Sequence, residues 1–370
     1  MLAENARDLA EARDSGLDAA MIDRLALTPT RVRAMADGVR AIASFDDPVG
    51  SFVGLARRPN GLLVGRTRIP LGVIAIVYES RPNVTIDCAA LTLKSGNAIL
   101  LRGGKEAKHS NLALVELLRA AIREAGLPED AVQIVPPGDR EEIKSLVGLA
   151  GKIDLVIPRG GERLIRFVTE HARVPVIQHY QGVCHLYVDE GADHAMAERL
   201  VENGKLSRVG VCNALECLLV DEAEAAAFLP RLSRLLDAGL EIRGDEATRA
   251  ALPRARAATP EDYGHEFLAK ILAVRVVRGI DGALDHIARY GSNHTEVICT
   301  NHHARAERFV REVDASCVLV NASSRFNDGG ELGLGAEMGI STSKLHAYGP
   351  MGLEHLTTLK WVVYGDGQVR

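Results

Sequence analysis

Between residues 73 and 177, short apolar runs rich in Val, Ile and Leu recur with helix-forming stretches between them. The runs are 73–78, 98–101, 132–135, 153–157 and 174–177; the helical stretches are 84–94, 110–125, 139–149 and 162–171. A short, continuously apolar run fits a strand covered on both faces, as in a parallel sheet. Strand and helix alternating in this way predict a doubly wound α/β domain, with ligands at the carboxyl ends of the strands. A second series follows, with strands expected at 185–188, 215–220, 271–277, 296–300 and 317–320. Helices are expected between them at 192–204, 222–238, 281–290 and 302–313, which makes a second α/β domain. A chain of 370 residues is long enough for two cores.

The flanks read differently. Residues 2–14 and 18–45 have helical character, with Thr28-Pro29 as a cap followed by proline at the first helical turn. The passage 46–61 is rich in turn residues, and 62–69 alternates as an exposed strand should. Periodicity is lost over 321–350, where glycine accumulates, as in long functional loops. Trp361-Val362-Val363-Tyr364 predicts a terminal strand that a partner subunit could pair with.

Composition excludes several classes. A net charge of −5 argues against a general nucleic-acid-binding surface, and no run of about 18 apolar residues is present to span a membrane. The acidic, helical first residues do not read as a secretory signal. Cys88, Cys184, Cys212, Cys217, Cys299 and Cys317 show no CxxC spacing, so no metal is expected, and reduced thiols fit a cytoplasmic protein. The dinucleotide fingerprint GxGxxG is absent, so any dinucleotide is held by other means.

One cysteine stands apart from the strands. In Arg208-Val209-Gly210-Val211-Cys212-Asn213-Ala214-Leu215-Glu216 the thiol sits where a loop enters an element. A nucleophilic thiolate needs substrate access and an electropositive setting, and Arg208 offers the second. Cys217, five residues on, reads as core.

Several separated stretches together resemble one family, the gamma-glutamyl phosphate reductases (glutamate-5-semialdehyde dehydrogenases) of the aldehyde dehydrogenase superfamily. They include Val77-Tyr78-Glu79-Ser80-Arg81-Pro82-Asn83-Val84-Thr85, Ser95-Gly96-Asn97 through Arg102-Gly103-Gly104-Lys105-Glu106, and Ile157-Pro158-Arg159-Gly160-Gly161. Gly182-Val183-Cys184-His185, the Cys212 stretch, Tyr290-Gly291-Ser292-Asn293-His294-Thr295-Glu296 and Val320-Asn321-Ala322-Ser323-Ser324-Arg325-Phe326 continue the series. Gly333-Leu334-Gly335-Ala336-Glu337 and Gly349-Pro350-Met351-Gly352-Leu353 complete it. The resemblance runs in order over nearly the whole chain. Family members usually carry a helical segment ahead of the region matching Met1, so the outer helices of the cofactor domain are expected to be less completely built.

The resemblance implies an aldehyde-dehydrogenase-like fold: two doubly wound α/β domains plus a small β oligomerisation element. It divides the chain into a cofactor domain, 1–183, interrupted near 56–69 by the oligomerisation strand; a catalytic domain, 184–348; and a return segment with a strand, 349–370. The implied reaction is NADPH-dependent reduction of L-glutamyl 5-phosphate to L-glutamate 5-semialdehyde and phosphate, the second step of proline biosynthesis. A homo-oligomer and functional coupling to glutamate 5-kinase are implied too. Cys212 matches the nucleophile, and Asn83 the side-chain donor to the oxyanion, with a helix cap as its alternative. Arg102 and Lys105 match positions that meet the adenosine ribose or its 2′-phosphate. Gly160 and Gly161 match the pyrophosphate turn, and Glu266-Phe267 the nicotinamide-ribose pair. Glu79, Arg81, Arg208 and Arg325 are candidates for the substrate's ammonium, carboxylate and phosphate. The glutamate that activates hydrolytic water in aldehyde-oxidising members is replaced near Gln178, with His179 or His185 as outside candidates for a base. His294-Thr295 reads as loop packing. Two other readings stay open: another semialdehyde or acyl-CoA dehydrogenase, or a catalytically silent scaffold subunit.

Overall fold

Val73–Tyr78 is the centre of the first sheet because its residues beyond Val73 are all buried. In the computed structural model, which describes every residue except 137 and 139, it pairs in parallel with Ala98–Arg102 on one side and Leu155–Arg159 on the other. Val132–Ile134 extends the sheet beyond Ala98–Arg102, giving four strands. The fifth expected strand, 174–177, makes only a single parallel bridge, Val156 to Val176. Pro175 has no N–H for a continuous ladder, which accounts for the shortfall. The helices Pro82–Lys94, Lys108–Glu124 and Glu162–His171 fill the expected places. The helix expected over 139–149 begins at Asp139, outside the described residues, and is observed as Arg140–Val147. Gly96, at φ +75°, turns the chain out of the helix Pro82–Lys94 in a conformation glycine adopts without steric cost.

The chain divides into two compact units: Met1–Gln178 with Gly333–Arg370, and His179–Leu332. The first therefore takes in both ends of the chain and most of the glycine-rich passage expected in the catalytic domain. Within it, the single helix expected over 18–45 is two, Ala19–Leu25 and Pro29–Ser44. Thr28 caps the second by accepting from Arg31 N at 3.2 Å, so the break falls at the sequence's own start signal. The turn-rich passage hides a strand, Phe52–Arg57, exposed along its whole length. It forms an antiparallel sheet with Leu63–Pro70, which pairs over eight residues with the terminal strand Thr357–Tyr364.

The second unit holds a seven-stranded, all-parallel sheet. At its middle lie Cys184–Val188 and Leu215–Asp221, both buried throughout. Thr295–Cys299 and Cys317–Val320 extend it on one side; Ile271–Val277, Glu241–Gly244 and Arg256–Ala257 extend it on the other. The last two strands and the helix Glu246–Ala251 lie between the expected helix 222–238 and the expected strand 271–277, where no element was expected. The helix expected over 222–238 is broken into Ala225–Phe228, a 3₁₀ turn at Leu229–Leu232, and Ser233–Asp237; Pro230 lacks the N–H that a continuous helix requires. Among the described residues, no helix is long and apolar enough to cross a membrane.

Candidate active site

Cys212 lies in the second unit, half-buried in the turn between the helix His194–Leu206 and the strand Leu215–Asp221. Its backbone is clamped from three sides. A Cβ on Gly182 would fall 1.9 Å from the Cys212 carbonyl oxygen, so only glycine fits there. Cys184 Sγ reaches the same oxygen at 3.2 Å. Asn213 Nδ2 donates to the carbonyls of Arg325 and Asn327, at 3.3 and 3.0 Å, and Ser324 Oγ returns a bond to Asn213 O at 2.8 Å. The Asn-Ala-Ser-Ser-Arg-Phe-Asn loop therefore holds the cysteine turn in place.

Two histidines reach the thiol. One ring nitrogen each from His179 and His294 lies, with Cys212 Sγ, in a group whose atoms are all within 4.8 Å of one another. His294 is fully buried, and its Nδ1 lies 2.7 Å from Thr295 Oγ1, which accepts from Asn327 Nδ2 at 2.8 Å. Burial, with the nearby His179, pushes the His294 imidazole down to about 3, so it is neutral near pH 7. The His294-Thr295 pair is thus part of the thiol's surroundings. The sequence signal was there, an Asn-His-Thr-Glu run opening a buried strand, but nothing local linked it to Cys212, 82 residues earlier by number.

His185 belongs to a different, closed cluster. It is buried beside Glu296, 2.9 Å from its carboxylate, with Cys217 and His286 close by. Gln178 closes the first unit, with its backbone carbonyl accepting from Thr342 N at 3.3 Å. His179 is therefore the residue from this passage that stands beside the thiol.

Arg325 lies near enough to Cys212 to feel its charge, and Arg208 lies near Arg325. Burial and then the charge of Arg208 lower the Arg325 guanidinium from its usual range, while Asp328 and Cys212 act against them. Among the described residues neither side chain is in a salt bridge, so an anion entering here would find two guanidiniums to pair with. Glu266 accepts from Gly182 N at 3.1 Å, and Phe267 stacks under Arg243 at 5.3 Å. Both belong to the same unit as the thiol. A buried ion pair the sequence reading missed, Lys205 with Glu216, supports this segment: Glu216 also accepts from Leu268 N at 3.3 Å. A glutamate inside the apolar run Leu215–Asp221 was the available signal.

The other candidates gather in the first unit. A cleft of about 560 Å³ is lined by Glu79, Arg102, Lys105, Arg140 and Arg163 among others. It opens where the strands Val73–Tyr78 and Ala98–Arg102 end. Arg102 is almost wholly buried and donates to Gly138 O at 3.1 Å; Lys105 is exposed. Four cations around one cleft fit a ligand carrying phosphate. Gly161 caps the helix Glu162–His171, and its N–H donates to Glu79 at 3.0 Å. Glu79 thus stands with the expected cofactor residues, and a pyrophosphate at this helix start would have to take the carboxylate's place. Asn83 is not the helix cap: Arg81 holds that position, and Asn83, the second residue of the helix, donates to Asp87 at 3.1 Å. The preceding Ser80 is held at φ +45° by two bonds to Glu106, through its N–H at 2.6 Å and its hydroxyl at 2.7 Å. A non-glycine residue in this region carries strain that its surroundings must hold.

A sequence model of the aldehyde dehydrogenase family matches residues 21–248. Gamma-glutamyl phosphate reductase of Sorangium cellulosum is 67% identical over all of this chain and 87% of its own length. The enzyme of the same name from Desulfatibacillum aliphaticivorans is 60% identical over 99% of this chain and 88% of its own. A crystal structure of gamma-glutamyl phosphate reductase from Thermotoga maritima superposes with a TM-score of 0.97 at 45% identity, covering 100% of this chain and 89% of that one. The fold, the ordered motifs and these relatives agree, and the chain belongs to the gamma-glutamyl phosphate reductases, glutamate-5-semialdehyde dehydrogenases of the aldehyde dehydrogenase family.

Proposed function

We propose that the chain reduces L-glutamyl 5-phosphate to L-glutamate 5-semialdehyde and phosphate with NADPH, and that Cys212 is the nucleophile. The observation that carries this reading is the half-buried thiol with His179 and His294 beside it and two guanidiniums that, among the described residues, are in no salt bridge. A cation near the sulfur favours the thiolate over the thiol. The thiolate attacks the acyl carbon, the bond to the phosphate oxygen breaks, and phosphate leaves with the electron pair beside Arg208 and Arg325. A thioester on Cys212 remains. Bound NADPH supplies the hydride that reduces it, and Cys212 is then released as the aldehyde forms. The backbone N–H of Cys212 and the Asn83 amide are the proposed donors to the oxyanion.

The thioester must outlast water. Gln178 is an amide and cannot take a proton, and His294 becomes imidazolium only below about pH 3, so it is a weak base near neutrality. Arg102 and Lys105 would hold the 2′-phosphate of NADPH in the cationic cleft, and Glu266 would accept from the nicotinamide ribose. Arg81 remains a candidate for the substrate carboxylate. Six free thiols support a cytoplasmic setting.

The test is the reverse reaction: NADP reduction by glutamate semialdehyde should require inorganic phosphate and vanish in Cys212→Ser while circular dichroism stays unchanged. Turnover without phosphate, or a Cys212→Ser variant near wild-type rate, refutes the reading. Arg102→Ala should raise the KM for NADPH by about tenfold or more and that for NADH far less, as loss of one charge-assisted bond predicts. Equal effects on both would remove the 2′-phosphate role.

A further inference from the structure

The second unit brings together two groups of residues with the donor atoms that soft metals prefer. His185, Cys217 and His286 form one and are all buried. Arg275 donates to His286 Nδ1 at 3.2 Å, which places the ring proton on Nε2. That nitrogen faces Cys217 Sγ at 3.6 Å as a donor, and the guanidinium beside it repels a cation. This group is a poor metal site.

The other group differs at the ring nitrogen: His294 Nδ1 meets a hydroxyl, not a guanidinium. We propose that His179, Cys212 and His294 bind a thiophilic divalent cation of the zinc class, and that the bound ion withdraws the Cys212 thiolate from reaction. Thiolate and imidazole are the ligands such ions select. The three donor atoms lie within 4.8 Å of one another. Ligands around tetrahedral zinc, at about 2.3 Å for sulfur and about 2.0 Å for nitrogen, sit roughly 3.3–3.7 Å apart, so closing the site needs a shift of about an ångström. His294 is prepared for this. Its Nδ1 lies 2.7 Å from the Thr295 hydroxyl, which can accept a hydrogen bond from the ring N–H and is itself fixed by Asn327. That leaves the Nε2 lone pair to ligate, and Nε2 is buried with no hydrogen-bond partner among the described residues. A hydrogen-bond acceptor behind a ligating histidine, usually a carboxylate, backbone carbonyl or water, orients it, and the Thr295 hydroxyl stands in that place here. Three protein ligands leave a fourth position for water or an oxyanion. Arg325, with Arg208 near it, acts against the ion's charge, so binding should be weaker than at a closed structural site.

The inhibitory half rests on Cys212 as nucleophile; binding does not. The test therefore reads binding directly. Metal-free full-length chain titrated with Co²⁺ should develop a thiolate-to-cobalt charge-transfer band and tetrahedral d–d bands, which Zn²⁺ displaces. Cys212→Ser should lose the charge-transfer band, Thr295→Val should weaken binding by about tenfold, and Cys217→Ser should leave the spectrum unchanged. Zn²⁺ should also slow alkylation of Cys212 by iodoacetamide, with EDTA restoring it. No band in a chain whose Cys212 still alkylates overturns the site, as does a band that survives Cys212→Ser. A Cys212-dependent band in a chain whose Cys212→Ser variant still turns over would support the site and sink the nucleophile instead.

Discussion

His185 shows how a single buried side chain couples the core of the second unit to pH. Burial alone would lower its pKa, but the Glu296 carboxylate, then Cys217, outweigh burial and push it up to about 10. Glu296 is raised by burial and held back by His185; the contact at 2.9 Å supports a charged pair. A folded pKa above the unfolded value means stability fully present below about 6.5 and lost as pH rises through about 10. His185→Gln should therefore melt well below wild type near pH 6, with the gap closing as pH approaches about 10. Thermal denaturation across that range measures it, and a gap independent of pH would mean that the pair is not ionic. The residue types of the candidate site were readable in the sequence, because motif order carried them. Their partners were not. Nothing along the chain says that Thr295 serves His294, or that Glu79 spends its carboxylate on Gly161 N.

At the scale of elements, the cysteine turn depends on what flanks it. The helix His194–Leu206 and the strand Leu215–Asp221 are joined by Lys205 and Glu216, both without exposed surface. Burial, the larger influence on each, lowers the Lys205 ammonium and raises Glu216 to about 7. Lys205→Met would leave a carboxylate buried without its counter-charge, which typically costs about 3–5 kcal/mol. Adding Glu216→Gln, which removes the charge, should recover much of that loss in urea denaturation. If the double variant is no more stable than the single, the pair is not what Lys205 contributes. Elements were legible where periodicity and burial agree, as for Val73–Tyr78 and Cys184–Val188. They were not where an element is short or lies on the surface. Phe52–Arg57 is exposed throughout and sits among turn residues, so its apolar pattern carried no core signal. Glu241–Gly244 is four residues long, too short to show alternation.

For the whole molecule, the antiparallel sheet of Phe52–Arg57, Leu63–Pro70 and Thr357–Tyr364 raises the question of assembly. It joins a segment near the start of the chain to one at its end. Trp361 is 67% exposed, Val363 54%, Tyr364 52% and Phe52 48%, which makes the sheet unusually apolar for a water-facing surface. Among the described residues Thr357–Tyr364 pairs on one side only, so the backbone N–H and C=O groups of its alternate residues form an open edge. A long, open, apolar edge favours pairing with another chain. A second copy of this chain is the partner we infer, since pairing would cover both the edge and the exposed side chains. Sedimentation of the wild-type chain should give a mass of at least two protomers. Trp361→Glu with Val363→Lys, on side chains that contribute little to either core, should shift the mass toward one protomer with circular dichroism unchanged. A wild-type chain that sediments as a monomer at every concentration would remove the assembly role from this sheet.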